Sequence, residues 1–208
     1  MSEITEILPQ VKDKNRCNIY VDGSFYCGMK LETAVRSRLK VGQHVEKAFL
    51  DEIQLENEKS EAMDRALNFL SASMKTGRQV TDYLKKNGYV PAVCEYVRER
   101  LEGYGYVDDA EYCRAYLASA SKTKGRRLLE AELKKRGAKA ECVEEALASL
   151  EGGADSAFAV LSKYMKNREF SRENLSRGFK YLMGKGFDYD DARAALERLG
   201  AETEEEER

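Results

Sequence analysis

The sequence returns on itself at a fixed spacing of 49 residues. Leu84, Leu133 and Leu182 are 49 apart, as are Gly88, Gly137 and Gly186, and as are Leu101, Leu150 and Leu199. The segments read LKKNGYVPAVCEYVRERLEG, LKKRGAKAECVEEALASLEG and LMGKGFDYDDARAALERLGA. Three triplets at one period mark a duplicated structural unit. Units this small cannot bury enough surface alone, so neighbours must share a core. The period therefore points away from a pocket enzyme and towards an elongated scaffold with a long binding surface.

Within each unit the apolar pattern is helical. DRALNFLSASM puts Ala66, Leu67 and Leu70 on one face. Thr76 suits the N-cap of a second helix with Val80, Tyr83 and Leu84 inward, and Gly88 suits its C′ stop. Pro91 suits the first turn of a third helix that carries Cys94, Val97 and Leu101. The expected fold is mainly α: three tandem three-helix repeats in an elongated, right- or left-curved array. Their expected bounds are 59–106, 107–152 and 153–200, after an N-terminal segment 1–58 and before a tail 201–208. Asp108-Asp109 and Asp190-Asp191 fall at helix starts, where a carboxylate accepts orphan backbone N–H groups and opposes the dipole.

The N-terminal segment differs. In RCNIYVDGSFYCGM, alternating residues flank Asp22-Gly23, which predicts a β-hairpin with a type I′ turn. A lone hairpin is marginal in water, so it should pack on a short helix beginning near Leu31 and ending near Gly42. Residues 45–58 read as a charged helical stretch. The tail, with five Glu and one Arg in Glu202–Arg208, reads as a disordered solubility segment, or as a screen competing for basic residues. Five scattered cysteines read as reduced core fillers, with Cys17 and Cys27 the one pair a hairpin could bridge.

The chemistry of common enzymes is missing. The sequence has no GxxxxGK[ST] loop and no GxGxxG after a strand. A Ser-His or Cys-His nucleophile would have to recruit His44, the only histidine, which lies in a charged stretch and reads as a surface residue. No catalytic residue, cofactor or metal site is expected. Nor is a membrane partner, since no apolar run approaches the roughly 18 residues needed to span a bilayer. The N-terminus lacks the apolar stretch of a signal peptide, and a cytoplasmic location is expected.

The net charge of −2 hides a split. Lys122, Lys124, Arg126, Arg127, Lys134, Lys135, Arg136 and Lys139 face only Glu130 and Glu132 within one stretch of the middle unit. Such a run is either a solvated helix face or a phosphate-binding footprint. The repeated leucines and glycines are core and cap positions, so function should sit where the repeats differ, and KTKGRR is the largest difference.

GYVDDAEYCRAYLASASKTKGRRLLEAELKKRG, with ALNFLSASMKTGRQVTDYLKKNGY before it and GFDYDDARAAL after, resembles the RecX family, bacterial regulators of the RecA recombinase. The resemblance covers residues 16–199, and RCNIYVDGSF is similar to the longer members that carry a hairpin before the repeats. Arg126 stands where members often have proline, and Thr76-Gly77-Arg78-Gln79 where they usually have a basic and acidic pair. The resemblance implies a non-enzymatic modulator that binds the RecA filament and can contact single- or double-stranded DNA; a monomer is expected. It further implies an effect, with inhibition as the working expectation, on RecA ATP hydrolysis, filament extension and strand exchange in recombination and the SOS response. Lys122, Lys124, Arg126 and Arg127 are the first candidates to meet RecA or DNA, and Lys134, Lys135 and Arg136 the second. The rival readings are a RecA-independent nucleic-acid-binding protein and a protein-only helical scaffold.

Overall fold

The structure, a computed structural model, describes residues 1–206. The chain divides into two compact units, Met1–Ser73 with Val80–Tyr104, and Met74–Gln79 with the chain from Gly105 onward.

The first unit opens with an antiparallel sheet. β1 (Ser2–Pro9), β2 (Arg16–Val21), β3 (Ser24–Lys30) and β4 (His44–Val45) lie in the order β3-β2-β1-β4. Val21 pairs with Ser24 across Asp22 and Gly23, whose φ values of 50° and 76° are those of the expected I′ turn. The expected hairpin is thus one pair in a four-stranded sheet. β1 escapes a simple alternation because a bulge between Ile4 and Glu6 shifts its register, so that Ile7 joins the fully buried Ile4 on the core face. Cys17 lies opposite Met29 and Cys27 opposite Ile19. Both are free and buried, so the bridge the hairpin could have allowed is not made; burial, with smaller contributions from Cys17 and Asp51, pushes the Cys27 thiol up to about 11.

The helix α1 (Leu31–Arg36) follows β3 as expected but ends six residues short of the stop expected near Gly42, with Ser37 as its C-cap. α2 (Lys47–Leu70) then runs unbroken through residues 58 and 59, where the first repeat was expected to begin. Its first half covers the sheet with Leu50 and Ile53, and its second half carries Ala62 and Ala66 into a helical core. The buried Asn57 ties the joint together. Its Oδ1 accepts from the Lys30 backbone N–H at 2.8 Å and its Nδ2 donates to Glu61 at 2.7 Å, while Arg16 pairs with the same Glu61. α4 (Pro91–Gly103), with Pro91 in its first turn, buries Val93, Cys94, Val97 and Leu101 as its spacing predicts.

α3 (Gly77–Lys86) links the units in sequence, and its first turn belongs to the second. Thr76 and Gln79 exchange reciprocal bonds, Gln79 N–H to Thr76 Oγ1 and Thr76 N–H to Gln79 Oε1, which completes a capping box at the expected N-cap. The second unit continues with α5 (Asp109–Ala120), α6 (Arg126–Lys135), α7 (Ala140–Ala148), α8 (Gly153–Met165), α9 (Arg172–Gly184) and α10 (Tyr189–Glu206). Leu84, Leu133 and Leu182 are fully buried. Gly88, Gly137 and Gly186 hold φ of 90°, 78° and 83°, the left-handed C′ conformation that ends each middle helix.

The tail expected to be disordered continues α10 as far as Glu206, with Arg198 and Glu202 paired one turn apart. Packing on α8 has already nucleated the helix, and Glu is a good enough helix former to extend it. Residues 207–208 lie outside the described residues. Among the described residues, no helix is long and apolar enough to cross a membrane.

In the second unit the repeat period becomes a physical joint. Thr76 Oγ1 donates to the Arg136 carbonyl, and a Cβ added to Gly137 would strike the Arg78 side chain. One period later, the Gly125 and Arg127 N–H groups donate to the Lys185 and Gly186 carbonyls. Each helix start therefore seats on the glycine turn 61 residues ahead, Thr76 on Gly137 and Gly125 on Gly186. Asp108 caps α5 through Glu111 N–H, as expected. Asp109 does more: its buried carboxylate accepts from Gly77 N–H at the start of α3 and from Lys139 N–H at the start of α7, both at 2.9 Å.

Candidate nucleic-acid interface

The basic stretch of the middle unit spans the α5–α6 loop and the length of α6. Leu129 and Leu133 face the core, which fixes the rotation of the helix and sorts its cations onto two faces. The N-terminus of α6 is not itself an anion site. Its cap is Gly125, with no side-chain acceptor, and the Gly125 and Arg127 N–H groups are spent on the Lys185 and Gly186 carbonyls. A phosphate here would be held mainly by side chains.

Two of the seven candidate cations are built into the unit. Lys124 Nζ reaches both Glu132 carboxylate oxygens at 2.8 and 2.7 Å and Tyr116 OH at 3.3 Å, and Tyr116 OH also donates to Glu132. The Arg136 guanidinium lies over the Tyr116 ring, 4.7 Å from its centre, and donates to Tyr112 OH at 3.0 Å. The hydrogen bond from Lys124 lowers the Glu132 carboxyl below its ordinary range, and the same bond raises the Lys124 ammonium. Lys134 pairs with Glu130 one turn away, on the solvent side. The remaining four, Lys122, Arg126, Arg127 and Lys135, are exposed, and none makes a side-chain hydrogen bond or ion pair among the described residues. Arg127, Ala131 and Lys135 form one exposed stripe along α6, with Arg126 beside it.

The Tyr112–Tyr116–Glu132 lock escaped a reading for charge runs. Its signal was the period itself. Tyr83, Glu132 and Tyr181 occupy one 49-spaced position. In the outer repeats that tyrosine stacks on an aromatic of the preceding helix, Phe69 to Tyr83 at 4.1 Å and Tyr164 to Tyr181 at 4.6 Å between ring centres. Only the middle repeat replaces the stack with a charged hydrogen-bond network.

Glu132→Gln is expected to cost about 1 kcal/mol near neutral pH, the worth of a partly exposed charge-assisted network. A lowered carboxyl stabilises the fold above its unfolded value, ordinarily 4.5 here, and that stability is lost as pH falls through the folded value. The stability gap between the two proteins should therefore hold steady from pH 6 to 9 and close below about pH 4.5, as read by urea unfolding at each pH.

Comparison with known proteins gives one answer. The chain matches the family models described as Regulatory protein RecX N-terminal domain over residues 2–46, RecX, first three-helix domain over 62–101, and RecX, second three-helix domain over 108–147. It is 32% identical to the Regulatory protein RecX of Bacillus licheniformis over 213 residues, which cover 99% of this chain and 80% of that protein. It is 27% identical to the Regulatory protein RecX of Clostridium tetani, covering 96% of this chain and 95% of that one. A crystal structure of regulatory protein RecX superposes with a TM-score of 0.70 at 23% identity, over 93% of this chain and 98% of that one. At that identity the likeness shows the fold.

Proposed function

The chain belongs to the RecX family of regulatory proteins, and from that premise we propose that it is a non-enzymatic regulator of RecA. It binds the RecA–DNA filament as a monomer in the cytoplasm and restrains ATP hydrolysis, filament extension and strand exchange during recombination and the SOS response. The observation that carries this reading is the basic surface of the α5–α6 loop and the outer face of α6, where Lys122 in the loop and Arg126, Arg127 and Lys135 on the helix stand exposed and uncommitted in the one repeat that departs from the other two. Lys124 and Arg136, tied to Glu132 and to the tyrosines, hold that face in place and meet a partner only at its edge. Several such contacts on one folded chain act at high effective concentration, which suits a regular filament.

The test titrates the protein into RecA on single-stranded DNA and follows ATP hydrolysis. Hydrolysis should fall and filaments shorten as the protein saturates. Unchanged hydrolysis, filament length and strand exchange at saturation would exclude the reading. Salt dependence separates the RecA-independent rival: four phosphate contacts made without RecA give a log–log slope of roughly −3 to −4.

A further inference from the structure

The third repeat carries a basic surface that the α6 face does not account for. From Lys163 in the last turn of α8, through α9, to Lys185 just beyond it, the chain holds seven basic residues against two acidic ones, Glu169 and Glu173. Lys163, Lys166, Arg172 and Lys180 are exposed and make no ion pair among the described residues. The two carboxylates offset little of this. Glu169 lies in the loop before α9, and Glu173, two turns ahead of Tyr181, pairs with Arg177 at 2.6 Å in a contact exposed on both sides, which water and salt weaken.

An aromatic pair sets this surface apart from a solvated charged face. Tyr164 of α8 and Tyr181 of α9 stack with ring centres 4.6 Å apart and planes inclined by 21°. The Arg168 guanidinium lies over Tyr164, 3.8 Å from its centre, and the Lys185 ammonium lies 5.4 Å from the centre of Tyr181. The two ends of this row of cation, ring, ring and cation differ. Arg168 is held twice, since it also donates to the Tyr164 carbonyl. Lys185 stands near the outer limit of such a contact, and Tyr181 is 37% exposed. Along α9, Arg177 comes one turn before Tyr181 and Lys185 one turn after, with Lys180 adjacent.

An accessible ring with cations a turn away on each side fits an unpaired base on a strand of phosphates. Any base can stack on an aromatic side chain while the neighbouring cations take the backbone. A duplex keeps its bases stacked inside and has none to offer Tyr181. An acidic peptide would answer the charges and leave the ring unused. We propose that Tyr181, backed by Tyr164 and Arg168, is a stacking platform for an unpaired base of single-stranded nucleic acid, with Arg177, Lys180 and Lys185 holding the adjoining phosphates. Lys185 gives up the ring to the incoming base and turns to the phosphate beside it. The site lies within the third repeat and does not rest on the α6 face.

The experiment uses the full chain without RecA and two fluorescein-labelled 15-mers of equal charge, oligo-dT and a strand of abasic residues. By anisotropy at low salt, the chain should bind oligo-dT at least about tenfold more tightly than the abasic strand. The ring resonances of Tyr181 should shift with oligo-dT and stay in place with the abasic strand. Tyr181→Phe keeps the ring and should keep the preference, whereas Tyr181→Ala should lose it and still bind both strands through charge. The two strands and the ring resonances are compared on the unaltered chain, so that arm stands even where Tyr181→Ala loosens the repeat. K180A/K185A should weaken both strands and flatten the salt dependence by about 1.4, the worth of two single-strand phosphate contacts. K122A/R126A/R127A/K135A should retain the preference, which tells failure of the α6 face from failure of this site. Equal affinity of the unaltered chain for the two strands overturns the proposal. So does a preference that leaves the Tyr181 resonances in place or survives Tyr181→Ala.

Discussion

Gly186→Ala should lower the stability of the second unit by about 4 kcal/mol, the sum of two separable penalties. The first is the left-handed backbone, φ 83°, which costs a residue with a Cβ about 1 kcal/mol. The second is collision, since the added Cβ would lie 2.4 Å from Leu128 N and 2.5 Å from Leu128 Cβ. Two further variants isolate the parts. Gly88 holds the same kind of turn at φ 90° with nothing within 4 Å of an added Cβ, so Gly88→Ala should cost only about 1 kcal/mol. Gly125 has an ordinary φ of −81°, yet its Cβ would lie 2.1 Å from Phe187 N; Gly125→Ala should cost about 3 kcal/mol from collision with rigid backbone. Urea unfolding of the three variants checks the order. Equal losses at Gly88 and Gly186 would mean that the glycine turn is a helix stop and nothing more.

Asp109→Ala should cost about 3 kcal/mol, because it removes the carboxylate that accepts from the buried Gly77 N–H and from the part-buried Lys139 N–H. Each N–H lies at a helix start, so the carboxylate also loses its favourable place against two dipoles. Asp109→Asn keeps one strong acceptor and should cost about half as much. Hydrogen exchange gives the local reading: amides in the first turns of α3 and α7 should lose protection in Asp109→Ala before those of α8 and α10 do. Uniform loss across the second unit would argue against a local joint.

The repeats were legible because a shared core demands the same leucine at the same place, and a helix end demands the same glycine. The joint between repeats was written in the same period, but in a form residue types do not advertise. Gly125 is small because Phe187 sits on it, and Gly137 because Arg78 does. Asp109 could be recognised as a capping residue, yet two of the helix starts it serves are remote in sequence, 32 and 30 residues away. β1 was missed because its bulge moves Ile7 onto the face of Ile4 and erases the two-residue alternation. α2 reads as two segments because its inward face changes partner from sheet to helices along its length. In the basic stretch, charge marked the region but could not separate Lys124 and Arg136, held by Glu132 and the tyrosines, from the four cations left outside.

That separation is the centre of the account. The face proposed to meet RecA and DNA is Lys122, Arg126, Arg127 and Lys135, while Lys124, Glu132 and Arg136 are tied into the middle repeat. The most direct measurement compares the unaltered chain with K122A/R126A/R127A/K135A for affinity to RecA filaments on single-stranded DNA. The variant should melt as the parent does, since all four side chains are exposed and unpaired, and should bind at least about tenfold more weakly with a shallower salt dependence. Undiminished affinity in a variant that melts normally would contradict the account.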